Sequence, residues 1–366
     1  MERLARESDE PGTLSARHAQ RLAAGVRADG RPLGPVRPAT RRLLESAFGV
    51  PIEELLGPPG TVEPADGRDE LTARLAAART ADRETVAAFQ QRLNYSRLLD
   101  RQLGGTQLAV ELSLQIGQMQ EIRHHSVDAP TRESLAAVIA DACALVGWQW
   151  LDLHNPTKAW DHYAQGVSAA AESGSPALRS YVLAGQSVVL LDLDEPVTAL
   201  QMTEHARDTA KGHVPQILAA WLSAAHGESC AANGLHKESL RCFDHAESLL
   251  SGAVPGEAPF LVFGRSHLAR WRGSALARLR DRQAADVLMR ALSDLPPKFI
   301  RAESALRIDL SEAFGQIGDR DAANSHAIRA ELLAQSIGSV RHLRRIDRLR
   351  RASVSPSPAA ESEDRP

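Results

Sequence analysis

The stretch LSARHAQRLAAG, from Leu14 to Gly25, carries the residue types best suited to reading a nucleic acid. Wound as a helix capped by Thr13 or Ser15 and closed by Gly25, it turns Ala16, Ala19, Leu22 and Ala23 to one face. Arg17, His18 and Arg21 fall on another face with Gln20 beside them. Arginine engages two acceptors of guanine and glutamine pairs with adenine, so these side chains are candidates for base contacts, while Arg41 and Arg42 are candidates for phosphate contacts.

Other chemistries lack their residues. His124 and His125 precede Asp128 and Pro130, but no HxxxH or HExxH spacing places two imidazoles and a carboxylate on one helix face. Cys143, Cys230 and Cys242 are odd in number and match no zinc spacing, so free thiols and no metal are expected, in a reducing cytoplasm. There is no GxSxG elbow and no glycine-rich phosphate loop. Neither an enzyme nor a bound cofactor is expected.

Charge is distributed unevenly. The formal net charge is only -3, yet residues 15–42 carry +6 and residues 339–351 carry +5. All but 4 of the 43 cations are arginine, a skew that fits codon bias as well as phosphate recognition. The N-terminus has no apolar signal segment, and SVVLLDLD is too short to span a bilayer, so no membrane association is expected.

These residues need elements to hold them. The Pro- and Gly-dense GPPGTVEPADG separates a head, residues 1–57, from the rest, with 58–67 as linker. Ser, Pro and acid make 353–366 a disordered tail. Between them the apolar period is helical: Val86, Phe89, Leu93, Leu98 and Leu99 form one stripe, and Leu108, Leu112, Ile116 and Met119 another. No run alternates with period two, so the class is all-α.

Five segments repeat. Small residues Ala159, Ala199, Ser239, Ala284 and Ala323 recur at spacings of 40, 40, 45 and 39, each followed seven residues later by Gly166, Ala206, Ala246, Ala291 or Ala330. Gly147, Ser187 and Gly227 stand twelve residues before the first three, and Gly234 and Gly318 mark turns. Small residues let paired helices approach closely, so residues 68–338 are expected to form a solenoid of helical hairpins closed by a basic helix, 339–352. Such a stack presents its first helices to a concave groove. In this register Asp141, Asp152, Tyr181, Asp192, Trp221, Glu228 and Glu312 face the groove, an acidic and aromatic surface suited to a basic or mixed peptide. Trp148, Trp150 and Trp160 are expected in the core.

The small-residue pattern resembles the tetratricopeptide repeat, with Tyr163 and Phe243 at the large-aromatic position and Met202 and Val287 replacing it elsewhere. In the head, RHAQRLAAG followed by TRRLLESAFGVPIEELLG resembles the second half of a lambda-repressor-like helix-turn-helix domain. That family has five helices, two of them before the recognition helix, so the head reads as partial. With LLDRQLGG, ALVGWQWLDLHNPTKAWDHYAQG and SYVLAGQSVVLLDL added, the chain resembles actinobacterial Xre-type regulators with C-terminal tetratricopeptide repeats. The resemblance implies a cytoplasmic transcriptional regulator that binds DNA through the head, senses a peptide or protein through the repeats, and self-associates as a homodimer. The alternative is an interaction adaptor whose head does not bind DNA.

Overall fold

The computed structural model describes residues 22, 36–48, 50–52, 55, 67–212, 214–254, 256–296 and 299–354. Arg17, His18, Gln20 and Arg21, nearly all of the expected linker and the tail beyond residue 354 lie outside them. The fold is all-α, with fifteen helices among the described residues. They are α1 (Pro38–Phe48), α2 (Gly67–Arg79), α3 (Arg83–Leu103), α4 (Thr106–His125), α5 (Ala129–Asp152), α6 (Pro156–Glu172), α7 (Pro176–Asp192) and α8 (Pro196–Ala210). The remainder are α9 (Gln216–Ala232), α10 (His236–Ser251), α11 (Arg265–Arg278), α12 (Ala284–Ser293), α13 (Ile300–Gln316), α14 (Arg320–Ser336) and α15 (Val340–Val354). The chain divides into two compact units, Met1–Arg74 and Leu75–Pro366.

In the first unit Pro38 opens α1, where its missing N–H is no loss. Leu22, Leu44 and Ile52 bury together, with Val36 and Leu55 packed against them. Glu45 accepts the Ile52 backbone N–H at 2.9 Å and the Arg41 Nε–H at 3.0 Å, so Arg41 has a carboxylate partner on its own helix. Arg42 is exposed beside it.

In the second unit α5–α6, α7–α8, α9–α10, α11–α12 and α13–α14 are consecutive hairpins, preceded by α3 and α4 and followed by α15. Each hairpin reverses through one left-handed residue: His154, Asp194, Gly234, Arg280 or Gly318, with φ of 60°, 58°, 72°, 56° and 86°. The next residue's N–H then donates to the carbonyl five back, as Asn155 does to Trp150 at 2.8 Å and Asp319 to Phe314 at 3.0 Å. That closure satisfies a helix-end carbonyl that would otherwise be orphaned. Asn155 and Asp319 also cap the following helix, accepting from the N–H of Lys158 and Ala322 at 3.0 Å.

The repeating small residues are where the helices touch. Ala159, Ala199, Ser239 and Ala284 are buried, as are all five residues seven positions later, Gly166, Ala206, Ala246, Ala291 and Ala330. Ala323 is only partly covered, because no further hairpin stacks on the last one. A Cβ at Gly147 would lie 2.8 Å from the Tyr163 ring, one at Gly227 would lie 3.0 Å from Phe243, and one at Gly273 would lie 2.6 Å from Leu288. In these three hairpins a bulky residue four positions after the anchor fills the notch left by a glycine on the preceding helix. Leu288, rather than the expected Val287, takes that position in the fourth hairpin, and buried Thr203, rather than Met202, takes it in the second.

The stripe on α3 also differs from the sequence expectation. Leu93 is buried and Val86 and Phe89 pack with it, but Leu98 and Leu99 are exposed while Arg97 and Asp100 are buried. Steps of four and seven from Leu93 reach Arg97 and Asp100, which are buried because other helices supply their partners. On α4, Leu112, Ile116 and Met119 are buried as the period requires. Among the described residues α5 alone is long and apolar enough to cross a membrane, and 78% of its apolar window is buried against other helices. It behaves as the central core helix and carries the ion-paired Asp141.

Candidate functional site

The hairpins curl until the two ends of the second unit meet, so the expected open groove is a ring around a cavity. Arg301 on α13 donates to Asp100 on α3 at 2.5 and 3.2 Å, and its Nε lies 3.1 Å from Asp152 on α5. The Ser339 hydroxyl donates to Asp152 at 2.6 Å, and Arg341 on α15 forks onto Asp192 of α7 at 2.6 and 2.7 Å. A Cβ at Gly104, just after α3, would stand 2.0 Å from the Ile337 carbonyl oxygen. The basic helix α15, expected as a plain terminal cap, instead completes the wall with Arg341, His342, Arg345, Arg348 and Leu349.

The cavity measures about 590 Å3. One side is an arc of rings. Tyr181 lies 5.1 Å from Trp221 and 5.0 Å from Phe260, Trp221 lies 5.9 Å from Trp271, and Phe263 lies 5.7 Å from Trp271. His267 and Phe299 continue it at 5.9 Å. Burial, reinforced by Arg270 and Arg101, lowers the His267 pKa to about 4, so its ring is neutral at pH 7. Trp148 and Trp150 pack against the core as expected, Trp148 also reaching the cavity with the Arg341 guanidinium 5.4 Å from its ring centroid, whereas Trp160 is exposed.

The carboxylates proposed to hold a basic partner are mostly taken. Asp192, Glu228 and Glu312 line the cavity with Tyr181 and Trp221, whereas Asp141 and Asp152 stand behind its wall. Asp141 accepts from Arg97 at 2.5 Å; burial still raises its pKa, outweighing the arginine. For Asp192, burial acts upward too, but Arg341 outweighs it and holds the carboxyl below the usual range. Arg345 binds Asp309 at 2.8 Å and comes within 3.8 Å of Glu312. Glu228 alone of the proposed set has no cation within 4.0 Å among the described residues, and burial raises its pKa against the pull of Arg270 and Arg278. Four of the five carboxylates expected to face a basic partner are therefore paired within the chain.

What the wall leaves over is positive charge. Arg101, Arg270, Arg278 and Arg348 line the cavity with no carboxylate within 4.0 Å among the described residues. The Arg270 Nε is buried without a hydrogen-bond partner, and burial lowers the pKa of that guanidinium. A buried donor left unpaired costs about 1–3 kcal/mol, which an incoming acceptor would recover. Sequence reasoning missed Arg270, Trp271, Phe260 and Phe263. The only signal for the last two was the apolar run APFLVFG, which breaks the helical period between α10 and α11.

Among the described residues, one group could hold a metal: His226, Cys230 and Cys242, whose ligating atoms lie within 4.8 Å of one another. It lies outside the set lining the cavity.

No protein-family model and no curated protein matches the chain. Two solved structures are similar to part of it, both of nearly identical TPR-like repeats from Podosopora anserina assigned to a kinesin light chain, one of them a variant with a single substitution. Each is 12% identical, covers 53% of this chain and 95% or 93% of its own, and has a TM-score of 0.35. The repeat architecture therefore rests on the chain's own hairpins, turns and small-residue contacts.

Proposed function

We propose that the protein is a helical-repeat binding module whose ring cavity captures an acidic peptide segment carrying an aromatic or large apolar side chain. The observation that carries this reading is the buried, unpartnered Arg270 Nε beside the Trp221–Trp271 arc, in a wall where Asp192 and Asp309 are already matched by arginines. A ligand carboxylate would supply the missing acceptor and the rings would receive its apolar side chain. Glu228, close enough to feel Arg270, would accept from a peptide N–H.

Tryptophan emission offers the test, since Trp221 and Trp271 line the cavity. Matched peptide panels that are acidic–aromatic, neutral and basic should give a saturable spectral change with the acidic–aromatic set, lost in Arg270→Ala. Equal response to the basic set, or an unchanged response in Arg270→Ala, refutes the reading.

A cytoplasmic regulator that also binds DNA as a homodimer is the fuller version. Its support is the sequence pattern of Arg17, His18, Gln20 and Arg21, together with the small core of Leu22, Leu44 and Ile52 on which a recognition helix could rest. It requires duplex binding that weakens steeply with salt and is lost in Arg17→Ala with Arg21→Ala. Without such binding the adaptor reading stands alone.

A further inference from the structure

The third hairpin holds three side chains that neither the cavity nor the sequence motifs explain. His226 and Cys230 are one turn apart on α9, so they share a face, and α10 returns antiparallel to bring Cys242 alongside. The ligating nitrogen and both sulfurs lie within 4.8 Å of one another. In a tetrahedral zinc site, bonds of about 2.3 Å to sulfur and 2.0 Å to nitrogen put the donor atoms about 3.5–3.8 Å apart, so an inward adjustment of about 1 Å completes the geometry.

Packing alone does not call for these residues. At the corresponding positions of the first hairpin stand Val146, Trp150 and His162; of the second, Gln186, Leu190 and Met202; of the fourth, Arg272, Leu276 and Val287. Only the third hairpin replaces all three with metal-ligating groups. The imidazole is also prepared for the task. The Thr203 hydroxyl stands 3.0 Å from the Leu200 carbonyl, to which it can donate, and 2.9 Å from His226 Nδ1. With the hydroxyl proton on the carbonyl, Nδ1 carries the hydrogen and Nε2 keeps the free lone pair, the arrangement by which an outer partner fixes a ligating histidine.

We propose that His226, Cys230 and Cys242 form a three-ligand site for a thiophilic d10 cation, zinc(II) or copper(I), with Thr203 as its positioning residue. Binding would release the two thiol protons to solvent. For zinc the two thiolates and the neutral imidazole leave the site uncharged with a fourth position open to water. For copper(I) three ligands suffice, and Arg207 balances the remaining negative charge.

The full chain, reduced and freed of metal, is titrated in three arms. With cobalt(II) as a spectroscopic stand-in for zinc, one equivalent should bring up sulfur-to-cobalt charge transfer. Zinc(II) should then bleach that signal at equal stoichiometry, and copper(I), delivered against a competing chelator, should be scored separately. Zinc binding with a single equivalent, or copper(I) binding with a single equivalent, supports the site and names its ion. Cys230→Ser and Cys242→Ser should each abolish the signal and His226→Ala should weaken it. Cys143→Ser, at a thiol far along the chain in the first hairpin, should leave it intact. Thr203→Val should reduce affinity about 10–100-fold with the helical circular dichroism unchanged. Absence of stoichiometric binding of either ion to the folded, reduced chain overturns the proposal, as does binding that survives loss of Cys230 and Cys242.

Discussion

Replacing Arg301 with methionine should open the ring. Arg301 on α13 ties the late helices of the wall back to α3 and α5, joining Asp100 at 2.5 Å and Asp152 at 3.1 Å. Side-chain exposures are 12% for Arg301, 5% for Asp100 and 3% for Asp152, and these decide the magnitude. An exposed pair would contribute about 0–1 kcal/mol, whereas removing one partner of a buried pair costs about 3–5 kcal/mol because a charge is left uncompensated. Two partial compensations survive: Gln149 donates to Asp100 at 3.1 Å and Ser339 to Asp152 at 2.6 Å. The Nε of Arg301 is aimed off-line for a hydrogen bond, so its contact with Asp152 is ionic only. The lower half of the range, about 3–4 kcal/mol, is therefore expected.

Urea denaturation followed by circular dichroism and, separately, by tryptophan emission measures it. Because hairpin stacks can open at one seam before unfolding throughout, the two probes should separate in the variant and coincide in the parent. Small-angle scattering should register a larger radius of gyration in Arg301→Met. Adding Asp100→Asn should recover part of the loss, since one orphaned charge is then removed. A change below about 1 kcal/mol, or no recovery on adding Asp100→Asn, would refute the buried-bridge argument.

Two further outcomes follow from the same packing. Gly104→Ala should lower Tm by about 3–8 °C, because at φ 85° and ψ 173° the backbone suits glycine alone and the new methyl would meet the Ile337 carbonyl at 2.0 Å. Glu228→Gln should raise Tm at pH 8 and leave it unchanged near pH 4. A carboxyl whose folded pKa is raised contributes stability below its unfolded pKa and loses it as pH rises through the folded value, and the amide carries no such loss. Thermal melts across that range check the sign.

The hairpins were readable because their signals are local. A small residue recurring every 40 or so positions needs no partner to be seen, and Gly234 and Gly318 announce their turns by type. His154, Asp194 and Arg280 do the same left-handed work without announcing it, because the helix ends on either side force the conformation. Leu98 and Leu99 misled for the converse reason. Their hydrophobicity suits a buried stripe, but α3 turns Arg97 and Asp100 inward, and a lone sequence cannot reveal that Asp141 and Arg301 wait for them 44 and 201 residues away.

The same blindness reverses the sign of the site. Read along one helix at a time, Asp141, Asp152, Asp192, Glu228 and Glu312 are an acidic face; read across the closed ring, four of the five meet an arginine from another helix. Closure supplies two of those arginines, since Arg301 of α13 reaches Asp152 on α5 and Arg341 of α15 reaches Asp192 on α7, whereas Arg97 and Arg345 come from helices packed beside their acids. With four of the five acids matched, the groups lining the cavity without an ion-pair partner among the described residues include Arg270, Arg101, Arg278 and Arg348 beside the single acid Glu228. Stability of the ring and preference for an anionic ligand are thus linked. A change that opens the seam, such as Arg301→Met, would loosen the carboxylates' own partners and shift the cavity back toward the acidic character of its separate helices. Peptide panels run on that variant should show weaker discrimination for acidic over basic sequences than the parent does. Unchanged discrimination in an opened ring would mean that Arg270 and its aromatic neighbours select the ligand by themselves, independent of closure.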